Sequence, residues 1–272
     1  MKVLSFGGGL GNQIFEYAFY VYMKNKYPQD NIYGHYSARG FSEHYGLEID
    51  KWFEAELPPQ RWYSTLLVGA CYCLKKLIGN HPWVDTSTRE CKNEQAKVFI
   101  AYKYSKHYVP SGDWLKWKTT SISLTDKNKD LACFISNNNT WFVHVRRGDY
   151  LSEKYKKLFD GCCPISYYEQ ALSDVIAKEQ EPKFICFSDD IVWAKDNLPK
   201  VFTKYIDWNT GENSPIDMYL MSLCRGAIIA NSTFSYWGAC LGNKKTRVYY
   251  PKKWINSSRG VPDIFHEDWI SY

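Results

Sequence analysis

The sequence lacks a long hydrophobic run and a strong excess of charge of one sign. Its longest apolar run, Leu66 to Leu74, is too short to span a bilayer and is stopped by Lys75-Lys76. The net charge is only +5, and the basic residues do not cluster. These absences argue against a membrane-spanning protein and a dedicated nucleic-acid binder, whereas a mildly basic surface favours anionic ligands or a membrane surface.

The nine cysteines lack a pattern as well. They form no C-x-x-C pair and their total is odd, so neither a zinc site nor a disulfide framework is indicated. Cys186, Cys224 and Cys240 lie in apolar runs, as expected for small core residues in a reducing compartment. Met1-Lys2 leads directly into a predicted strand and leaves no room for a signal peptide. We therefore expect a soluble cytoplasmic protein, and peripheral contact with the inner membrane face stays open.

The residues that are present favour a packed α/β protein. Apolar residues make up 45% of the chain and aromatic residues 17%, as in a well-packed globular protein. Apolar strands alternate with helical segments in the C-terminal half, which predicts a parallel sheet, with one edge strand at residues 247–250. The polar string at residues 136–139 is the predicted boundary between two domains, residues 1–137 and 138–272.

Apolar β-forming residues from Trp141 to Val145 run directly into a polar cluster. The run predicts a buried strand, and sites in open α/β sheets lie at such strand ends, where His144 and Arg146 would share one side. Arg146 and Arg147 repel each other unless an anion or a carboxylate lies between them, and guanidinium groups suit bidentate phosphate binding. The cluster is therefore either a diphosphate clamp in which Asp149 orients one arginine, or a salt bridge among these three residues.

The N-terminal segment predicts a strand at residues 2–6, a glycine-rich turn at residues 7–13 and a helix at residues 14–27. Glycines let the backbone approach a ligand closely, and amides at a helix N-terminus attract phosphate. The spacing matches neither the dinucleotide fingerprint nor the P-loop, so a phosphate-binding loop and a plain tight turn both stay open. Asn12 and Gln13 stand at the helix entrance, where their amides cap the helix or contact a ligand.

Three further polar turns lie at predicted strand ends or helix starts. One member of the pair Asp189 and Asp190 is the expected N-cap of the next helix, so a divalent metal site is not indicated. Asp217 stands in the first turn of a helix, where capping alone would explain it. The turn at residues 231–235 carries more hydroxyl and amide groups than a cap requires, which favours contact with a phosphate or a base edge.

Three stretches together resemble the bacterial type of the α-1,2-fucosyltransferase family, glycosyltransferase family 11. They are Gly8-Gly9-Leu10-Gly11-Asn12-Gln13-Ile14-Phe15, His144-Val145-Arg146-Arg147-Gly148-Asp149-Tyr150 and Asn231-Ser232-Thr233-Phe234-Ser235-Tyr236-Trp237-Gly238-Ala239. Phe187-Ser188-Asp189-Asp190 and the helix of Asp217 occur in the matching order, so the likeness covers nearly the whole chain. Each motif alone is weak, whereas the ordered set is specific.

The resemblance implies a GT-B-like fold with two Rossmann-type lobes that face a cleft and contain mostly parallel sheets. Residues 1–137 would form the acceptor-side lobe with the glycine-rich loop, and residues 138–272 the lobe that binds the nucleotide sugar. The implied reaction is transfer of L-fucose from GDP-fucose to the 2-hydroxyl of a galactoside, with inversion and with no cofactor or metal ion. The implied partners are GDP-fucose and a galactose-terminated glycan, as in O-antigen biosynthesis, and no nucleic acid.

The same resemblance implies roles for individual residues. Arg146 would hold the β-phosphate of the leaving GDP, and it is a predicted catalytic residue together with His144 and Asp149. Asp217 resembles the carboxylate that reads guanine. The residues implied in binding the nucleotide sugar are Gly9, Gly11, Asn12, Gln13, Arg147, Asp189, Asp217, Asn231, Ser232 and Thr233.

Two residues depart from the family pattern. Glu16 stands where the family usually has glutamine, which places an extra carboxylate near the presumed cleft. Tyr236 stands where the family usually has tryptophan, and we expect it to change only packing. The general base stays open among Asp149, Glu16, Asp160 and His144, with Asp149 favoured by its position.

Two other functions stay open. The chain could use another nucleotide-activated deoxysugar, such as a colitose or rhamnose donor. A non-catalytic sugar- or nucleotide-binding module would be expected to lose the arginine cluster or the glycine-rich loop, and both are present. A helix predicted at residues 64–78 faces the core, a partner or a membrane.

Overall fold

The structure of the protein is a computed structural model that describes residues 1–42, 44–78, 81–242, 244–257 and 260–272, with residues 75–78 described by their backbone alone. Contacts divide the chain into two compact units, Met1–Ile122 and Ser123–Tyr272. The division precedes the boundary predicted at residues 137 and 138. Its physical reason is that the helix at residues 126–136 belongs to the second unit, where its buried Asn128 exchanges hydrogen bonds with Asn209.

Each unit alternates strands with helices. The first unit has β1 (Lys2–Phe6), α1 (Leu10–Lys26), β2 (Ile32–Tyr36), α2 (Ile49–Trp52), α3 (Trp62–Ile78), β3 (Val84–Asp85) and β4 (Val98–Phe99). The second unit has α4 (Asp126–Ser136), β5 (Thr140–Val145), α5 (Glu153–Phe159), α6 (Ile165–Lys178), β6 (Lys183–Ser188), α7 (Ile191–Asn197), β7 (Phe202–Ile206), α8 (Pro215–Leu223), β8 (Gly226–Ile228), α9 (Thr233–Cys240), β9 (Val248–Tyr250) and β10 (Ile270–Ser271).

The first unit is built on a four-stranded sheet in the order β2-β1-β4-β3, in which every described pairing is parallel. Val3 and Val98 on neighbouring strands pack with Val68 of α3. Phe99, the next residue of β4, contacts Phe19 of α1 with ring centroids 5.4 Å apart. Because successive side chains of a strand point to opposite faces, helices α1 and α3 cover the two faces of this sheet.

The second unit is built on a six-stranded sheet in the order β10-β9-β8-β5-β6-β7, in which every described pairing is also parallel. All residues of the central strand β5 are buried, as the unbroken apolar run predicts. Trp141, Val143 and Val145 pack with Tyr168 and Leu172 of α6 in one hydrophobic core cluster. These two parallel-sheet units confirm the α/β class with two Rossmann-type lobes.

Both sheets reverse their winding beside one strand. The chain proceeds from β5 to β6 and β7 on one side, whereas β8 returns to the other side of β5. In the first unit, β1 is followed by β2 on one side, and β4 lies on the other. Ligands of open α/β sheets bind at the carboxyl ends of strands where the order reverses. The segments that follow β5 and β8, and those that follow β1 and β4, are therefore where each unit is expected to bind a ligand.

Several element bounds differ from the predictions. Helix α1 begins at Leu10 rather than Ile14, because the last residues of the predicted turn, Gly11, Asn12 and Gln13, already adopt helical structure. Strand β9 is not at the edge, since β10 from the C-terminal segment pairs with it. Strand β7 has a weak sequence signal, because threonine and lysine interrupt its apolar residues in Phe-Thr-Lys-Tyr-Ile. Most of the strand is accordingly only partly buried. No helix within the described ranges is both long enough and apolar enough to cross a membrane.

Candidate functional site

Arg146 follows the carboxyl end of β5, and two carboxylates hold it there. Its Nη2 lies 2.7 Å from Oδ1 of Asp149, and its Nη1 lies 2.9 Å from Oδ2 of Asp189. Asp149 belongs to the short turn after β5, whereas Asp189 follows the neighbouring strand β6. The guanidinium plane is therefore fixed by groups from two strand ends, while its side chain stays 32% exposed. A partly exposed, immobilised cation at this sheet edge is preorganised to bind an anion.

Gly148 makes room for this arrangement. A Cβ at residue 148 would lie 2.6 Å from Oδ2 of Asp189, closer than side-chain carbons come to oxygen atoms. The other oxygen of Asp189 accepts a hydrogen bond of 2.9 Å from the backbone N–H of Arg147. Glycine at this position thus allows one carboxylate to hold the loop backbone and the Arg146 guanidinium at once.

Arg147 points to a different partner. Its Nε lies 3.1 Å from Oδ2 of Asp190, and its guanidinium carbon lies 4.0 Å from the ring centroid of Trp193. Asp190 is the N-cap of α7, because its Oδ1 accepts a bond from the Trp193 N–H, as predicted for one member of this pair. The two arginines are therefore held by separate carboxylates, and Asp149 pairs with Arg146 rather than with Arg147.

The charges of this cluster are unevenly balanced. Two guanidiniums meet three carboxylates, which leaves a net charge of −1. Burial lowers the pKa of Arg146, but the nearby Asp189 and Asp149 outweigh it and raise that pKa above its ordinary value. Arg146 therefore stays cationic near neutral pH.

His144 lies beneath the cluster as a neutral group. Burial, with a contribution from the Arg146 charge and against the attraction of Asp189, lowers its pKa to about 3. Its side chain is 5% exposed, and its Nδ1 has no hydrogen-bond partner among the described residues. The imidazole thus carries no charge near neutral pH and is a weak proton acceptor there.

The carboxyl end of β8 lies beside the arginine cluster. The Tyr150 hydroxyl, from the turn after β5, donates a 3.0 Å bond to the carbonyl of Asn231. The Asn231 side chain donates to the Trp254 carbonyl and accepts from the Cys163 thiol, so its amide is used in holding neighbouring segments. Ser232 is the N-cap of α9 and its hydroxyl accepts from the N–H two residues ahead. Thr233, the first residue of α9, is partly exposed.

Asp217 ends a chain of polar side chains in the second unit. Its Oδ1 accepts a 2.7 Å bond from the Asn209 amide, which in turn exchanges bonds with the fully buried Asn128. The indole N–H of Trp208 donates to Oδ1 of Asn128, the oxygen that also accepts from the Asn209 amide. Burial raises the pKa of Asp217 to about 7, since the Asn209 bond offsets only part of it and the charge of Asp207 adds to it. Asp217 is therefore held by a side chain, Asn209, whereas a residue that only caps a helix would bond to the helix backbone.

The glycine-rich turn of the first unit leads into α1 and is tied down by Gln13. The Gln13 amide donates to the carbonyls of Gly8 and Gly46 at 2.9 Å each, and its oxygen accepts from the N–H groups of Glu48 and Ile49. The side chain is fully buried. All its hydrogen-bonding capacity is thus used inside the unit, and it shapes the loop from within.

Other predicted residues of this turn lie closer to the surface. Gly9 is the N-cap of α1 and is partly exposed, whereas Gly11 is buried in the first turn of the helix. Asn12 is also partly exposed, and its Oδ1 accepts a 2.9 Å bond from the hydroxyl of Tyr104, a residue that follows β4. The loops after β1 and β4 therefore meet at the reversal of this sheet.

Glu16 does not place a carboxylate at the surface. It is 5% exposed, and its Oε2 accepts a 3.0 Å bond from the N–H of Gly7. Burial raises its pKa well above the ordinary value, and the Gly7 bond and the charge of Lys103 only partly counter this. Asp160, another predicted base candidate, is exposed after α5. Tyr236 is 1% exposed and donates to the Ile264 carbonyl, so it anchors the C-terminal segment in addition to packing.

Within the second unit, the structure brings together Arg146, Asp149, Asp189 and the turn at Asn231. Asp217 has its own network with Asn209. Sequence reasoning missed the supporting residues Trp193, Tyr150, Asn209 and Asn128. Tyr150 carried a signal, because it directly follows the arginine cluster, whereas Asn128 and Asn209 are far apart in the chain and carry none.

Comparisons of the sequence with known proteins identify a family. The sequence profile described as Glycosyl transferase family 11 matches residues 98–272. The chain is 37% identical over 145 residues to the O-antigen biosynthesis glycosyltransferase WbnK of Escherichia coli, covering 53% of this chain and 47% of that protein. It is 29% identical over 264 residues to an alpha-1,2-colitosyltransferase of Escherichia coli, covering 89% of this chain and 87% of that protein.

A mammalian relative aligns over a shorter region. The galactoside 2-alpha-L-fucosyltransferase SEC1 of Bos taurus is 31% identical over 119 residues, covering 43% of this chain and 32% of that protein. The chain thus spans about half the length of WbnK and about a third of SEC1. The alignment with the colitosyltransferase extends over most of both chains.

Proposed function

The chain belongs to glycosyl transferase family 11, and from this premise we propose that it transfers L-fucose from GDP-fucose to the 2-hydroxyl of a galactoside. The proposed reaction inverts the anomeric carbon and needs no metal ion. The observation that carries the proposal is the Arg146 guanidinium, fixed by Asp149 and Asp189 at the carboxyl edge where the second sheet reverses its order.

Arg146 would stabilise the leaving group. As the bond between the anomeric carbon and the β-phosphate oxygen breaks, negative charge grows on the GDP diphosphate. A fixed cation with oriented N–H donors stabilises that charge most when it is fully developed, which is the requirement for catalysis. Since Arg146 stays protonated beside its two carboxylates, it supplies this charge without a metal ion.

Asp149 would exchange its partner during the reaction. The ligand-free cluster has one carboxylate in excess, so a diphosphate is repelled unless one carboxylate moves away. Asp149 is the more exposed partner of Arg146, at 42% against 26% for Asp189, and Asp189 is also held by the Arg147 N–H. The diphosphate would therefore replace Asp149 at Nη2 of Arg146.

The displaced carboxylate is then available as the general base. The acceptor hydroxyl oxygen attacks the anomeric carbon, its proton passes to Asp149, and GDP departs with the bonding electron pair. His144 is less suited to this step because burial holds its pKa near 3. Glu16 is less suited because it is buried and already accepts the Gly7 N–H.

Asp217 would read the guanine base. Guanine presents two neighbouring N–H donors on its Watson–Crick edge, and an ionised carboxylate accepts both. The Asn209 bond uses one oxygen of Asp217 and fixes the orientation of the carboxylate. Gly9, Gly11 and Asn12, at the start of α1, keep their predicted role in binding the nucleotide sugar.

A second donor is supported by the comparison that covers most of the chain, the alpha-1,2-colitosyltransferase. Colitose differs from fucose by the absence of the 3-hydroxyl, so one site geometry could accept either sugar. A donor site that hydrogen-bonds the 3-hydroxyl discriminates strongly against the sugar that lacks it. Donor choice therefore separates the two candidate activities.

The test measures GDP release by the purified protein with EDTA present, with lactose or N-acetyllactosamine as acceptor. GDP-fucose and GDP-colitose are supplied in parallel reactions, and the product linkage is read by NMR. We expect acceptor-dependent release with GDP-fucose and an α-1,2 product. Release with GDP-colitose alone would establish the second activity, and release that requires added Mg²⁺ would contradict the metal-independent reaction.

A matched pair of variants links this activity to the site. Arg146→Ala removes the proposed diphosphate contact. Arg225→Ala removes an exposed arginine that precedes β8, at the opposite edge of the same sheet. Loss of release in the first variant and retention in the second are expected, and equal activity of both variants would overturn the assignment of Arg146.

A further inference from the structure

Helix α3 of the first unit presents a broad apolar face to solvent. Trp62 is 76% exposed, Leu66 is 63% exposed and Tyr72 is 50% exposed. Leaving such side chains in water is unfavourable unless another apolar phase covers them. The opposite side of the helix is already occupied, because Val68 and Cys71 pack with the sheet.

The exposed face is continuous along the helix. Its exposed positions up to residue 74 follow helical spacing and share one side, and they are Trp62, Thr65, Leu66, Gly69, Ala70, Tyr72 and Cys73. None of these residues carries a charge. Solvent-facing helix surfaces normally carry charged residues, so this face has the composition of a surface that binds something apolar.

Basic residues stand at both ends of this helix in the sequence. Arg61 is exposed immediately before the helix, and Lys75-Lys76 follows in its last turns. The whole segment from Leu57 to Val84 contains these three basic residues and no aspartate or glutamate. The apolar face therefore lies in a locally cationic stretch of chain.

We propose that the α3 face, defined by the seven exposed residues above, docks in the plane of a lipid bilayer that carries anionic headgroups. Apolar side chains with an aromatic residue at one end insert at the boundary between headgroups and acyl chains. Flanking arginine and lysine attract the anionic lipids, each contributing a small electrostatic term. The helix lies on the surface, since its apolar run is too short to cross the bilayer.

Charge complementarity favours an anionic lipid surface over a second copy of this chain. A second copy of this chain would bring another cationic segment against the first, which opposes self-association through this face. An anionic bilayer satisfies both features of the segment at once. The inference does not depend on the proposed transferase activity, because it rests on α3 alone.

Vesicle flotation tests the proposal directly. The full chain is mixed with vesicles of phosphatidylethanolamine and phosphatidylglycerol, or with vesicles of phosphatidylcholine alone, at low and high salt. We expect binding to the anionic vesicles, weakened by salt, and little binding to the neutral ones. Equal binding to both vesicle types, or binding to neither, would overturn the proposal.

Matched substitutions assign the binding to α3. Leu66→Glu and Trp62→Ser should each lower the partition coefficient on anionic vesicles by about tenfold or more. Ile176→Glu is the control, because Ile176 is 50% exposed on α6 of the second unit; it should change binding by less than about twofold. Arg61→Glu should weaken binding at low salt and have less effect at high salt.

A self-association surface would give a different result. Sedimentation velocity without vesicles would then show a concentration-dependent dimer that Leu66→Glu abolishes. In the flotation experiment, neither the unchanged chain nor the Leu66→Glu variant would bind to the vesicles. Circular dichroism of the variants confirms that they are folded, as expected for substitutions at exposed positions. GDP release with a soluble acceptor, measured in parallel, is expected to stay unchanged, since α3 lies outside the proposed catalytic residues.

Discussion

The two parallel sheets end in opposite ways at the points where their order reverses. In the first unit, this point of the sheet is followed by a glycine-rich turn. The polar side chain of Gln13 forms all four of its hydrogen bonds with backbone groups of the same unit. The edge of the second unit carries two arginines and three aspartates that form three ion pairs. The first edge thus offers backbone groups in a fixed shape, whereas the second offers charge.

This difference predicts that substitutions at the two edges have different effects. At the first edge, side chains such as Gln13 and Glu16 support the loop from inside, so their loss should appear first as lost stability. At the second edge, Arg146 is partly exposed and held by two carboxylates, so its loss should appear first as lost turnover.

The largest effect is expected for Arg146→Ala. Removal of a preorganised contact to the leaving group typically lowers the rate by about 10²- to 10³-fold, and we expect a fall in kcat of that size. Arg146→Lys should recover only part of the rate, since an ammonium group lacks the planar fork of donors that would bond Asp189 and the β-phosphate at once. Steady-state kinetics with GDP-fucose and thermal unfolding of the same samples measure both properties; a large loss of stability with little loss of kcat would break the division.

Gln13→Ala should act on stability. The substitution removes the partner of the Gly8 and Gly46 carbonyls and of the buried N–H groups of Glu48 and Ile49, and we expect a loss of about 3 kcal/mol in the free energy of unfolding. Gln60→Ala is the matched control because Gln60 is an exposed amide of the same unit; it should change stability by less than about 0.5 kcal/mol. Urea unfolding measures the difference, and an unchanged midpoint with lost GDP binding would make Gln13 a ligand.

Asp217 should make GDP binding pH-dependent. Because its pKa is raised to about 7 in the ligand-free protein, GDP affinity should fall about tenfold for each pH unit below that value. Calorimetric titration between pH 6 and 8 measures this slope, and Asp217→Asn should remove it. Asp130→Asn, an exposed substitution on α4, is the control that should keep it.

The same pKa fixes the direction of a stability effect. The ordinary pKa of an aspartate is near 3.8, so between that value and about 7 the folded protein holds a proton on Asp217 that the unfolded chain releases. The free energy of unfolding should therefore fall as the pH rises through this range and level off above it. Asp217→Asn should show a weaker fall, and a steeper one would contradict the burial of this carboxylate.

The smallest effect is expected for Tyr236→Phe. It removes one buried hydrogen bond, of 2.8 Å, to the Ile264 carbonyl and leaves the ring packing in place. We expect a loss of about 1 kcal/mol in stability and nearly unchanged kcat. A large loss of activity would show that the anchored C-terminal segment takes part in the reaction.

The central strand and its polar edge could be predicted from the sequence because the information is local. An unbroken apolar run predicts β5, and Arg146 and Asp149 lie within four residues of its end. The partners of these residues follow other strands, so the contact between Arg146 and Asp189 depends on the pairing of β5 with β6. Asn128 and Asn209 illustrate the limit, since only the packed unit brings α4 to the segment before α8.

The internal use of Gln13 was also beyond sequence reasoning. A glutamine after glycines at a helix start is compatible with capping, ligand binding or tertiary bonding, and three of its four partners, at Gly46, Glu48 and Ile49, lie more than thirty residues away. The burial of Glu16 could not be predicted either, because a glutamate in place of the usual glutamine does not show whether the side chain is buried. Both residues are explained by tertiary packing rather than by local pattern.

A crystal structure of the protein with bound GDP tests the central claim most directly. We expect the β-phosphate to lie within hydrogen-bond distance of the Arg146 guanidinium, with Asp189 still in contact with Nη1 and Asp149 turned away from Nη2. A diphosphate bound elsewhere, with the Asp149–Arg146 pair intact, would contradict it.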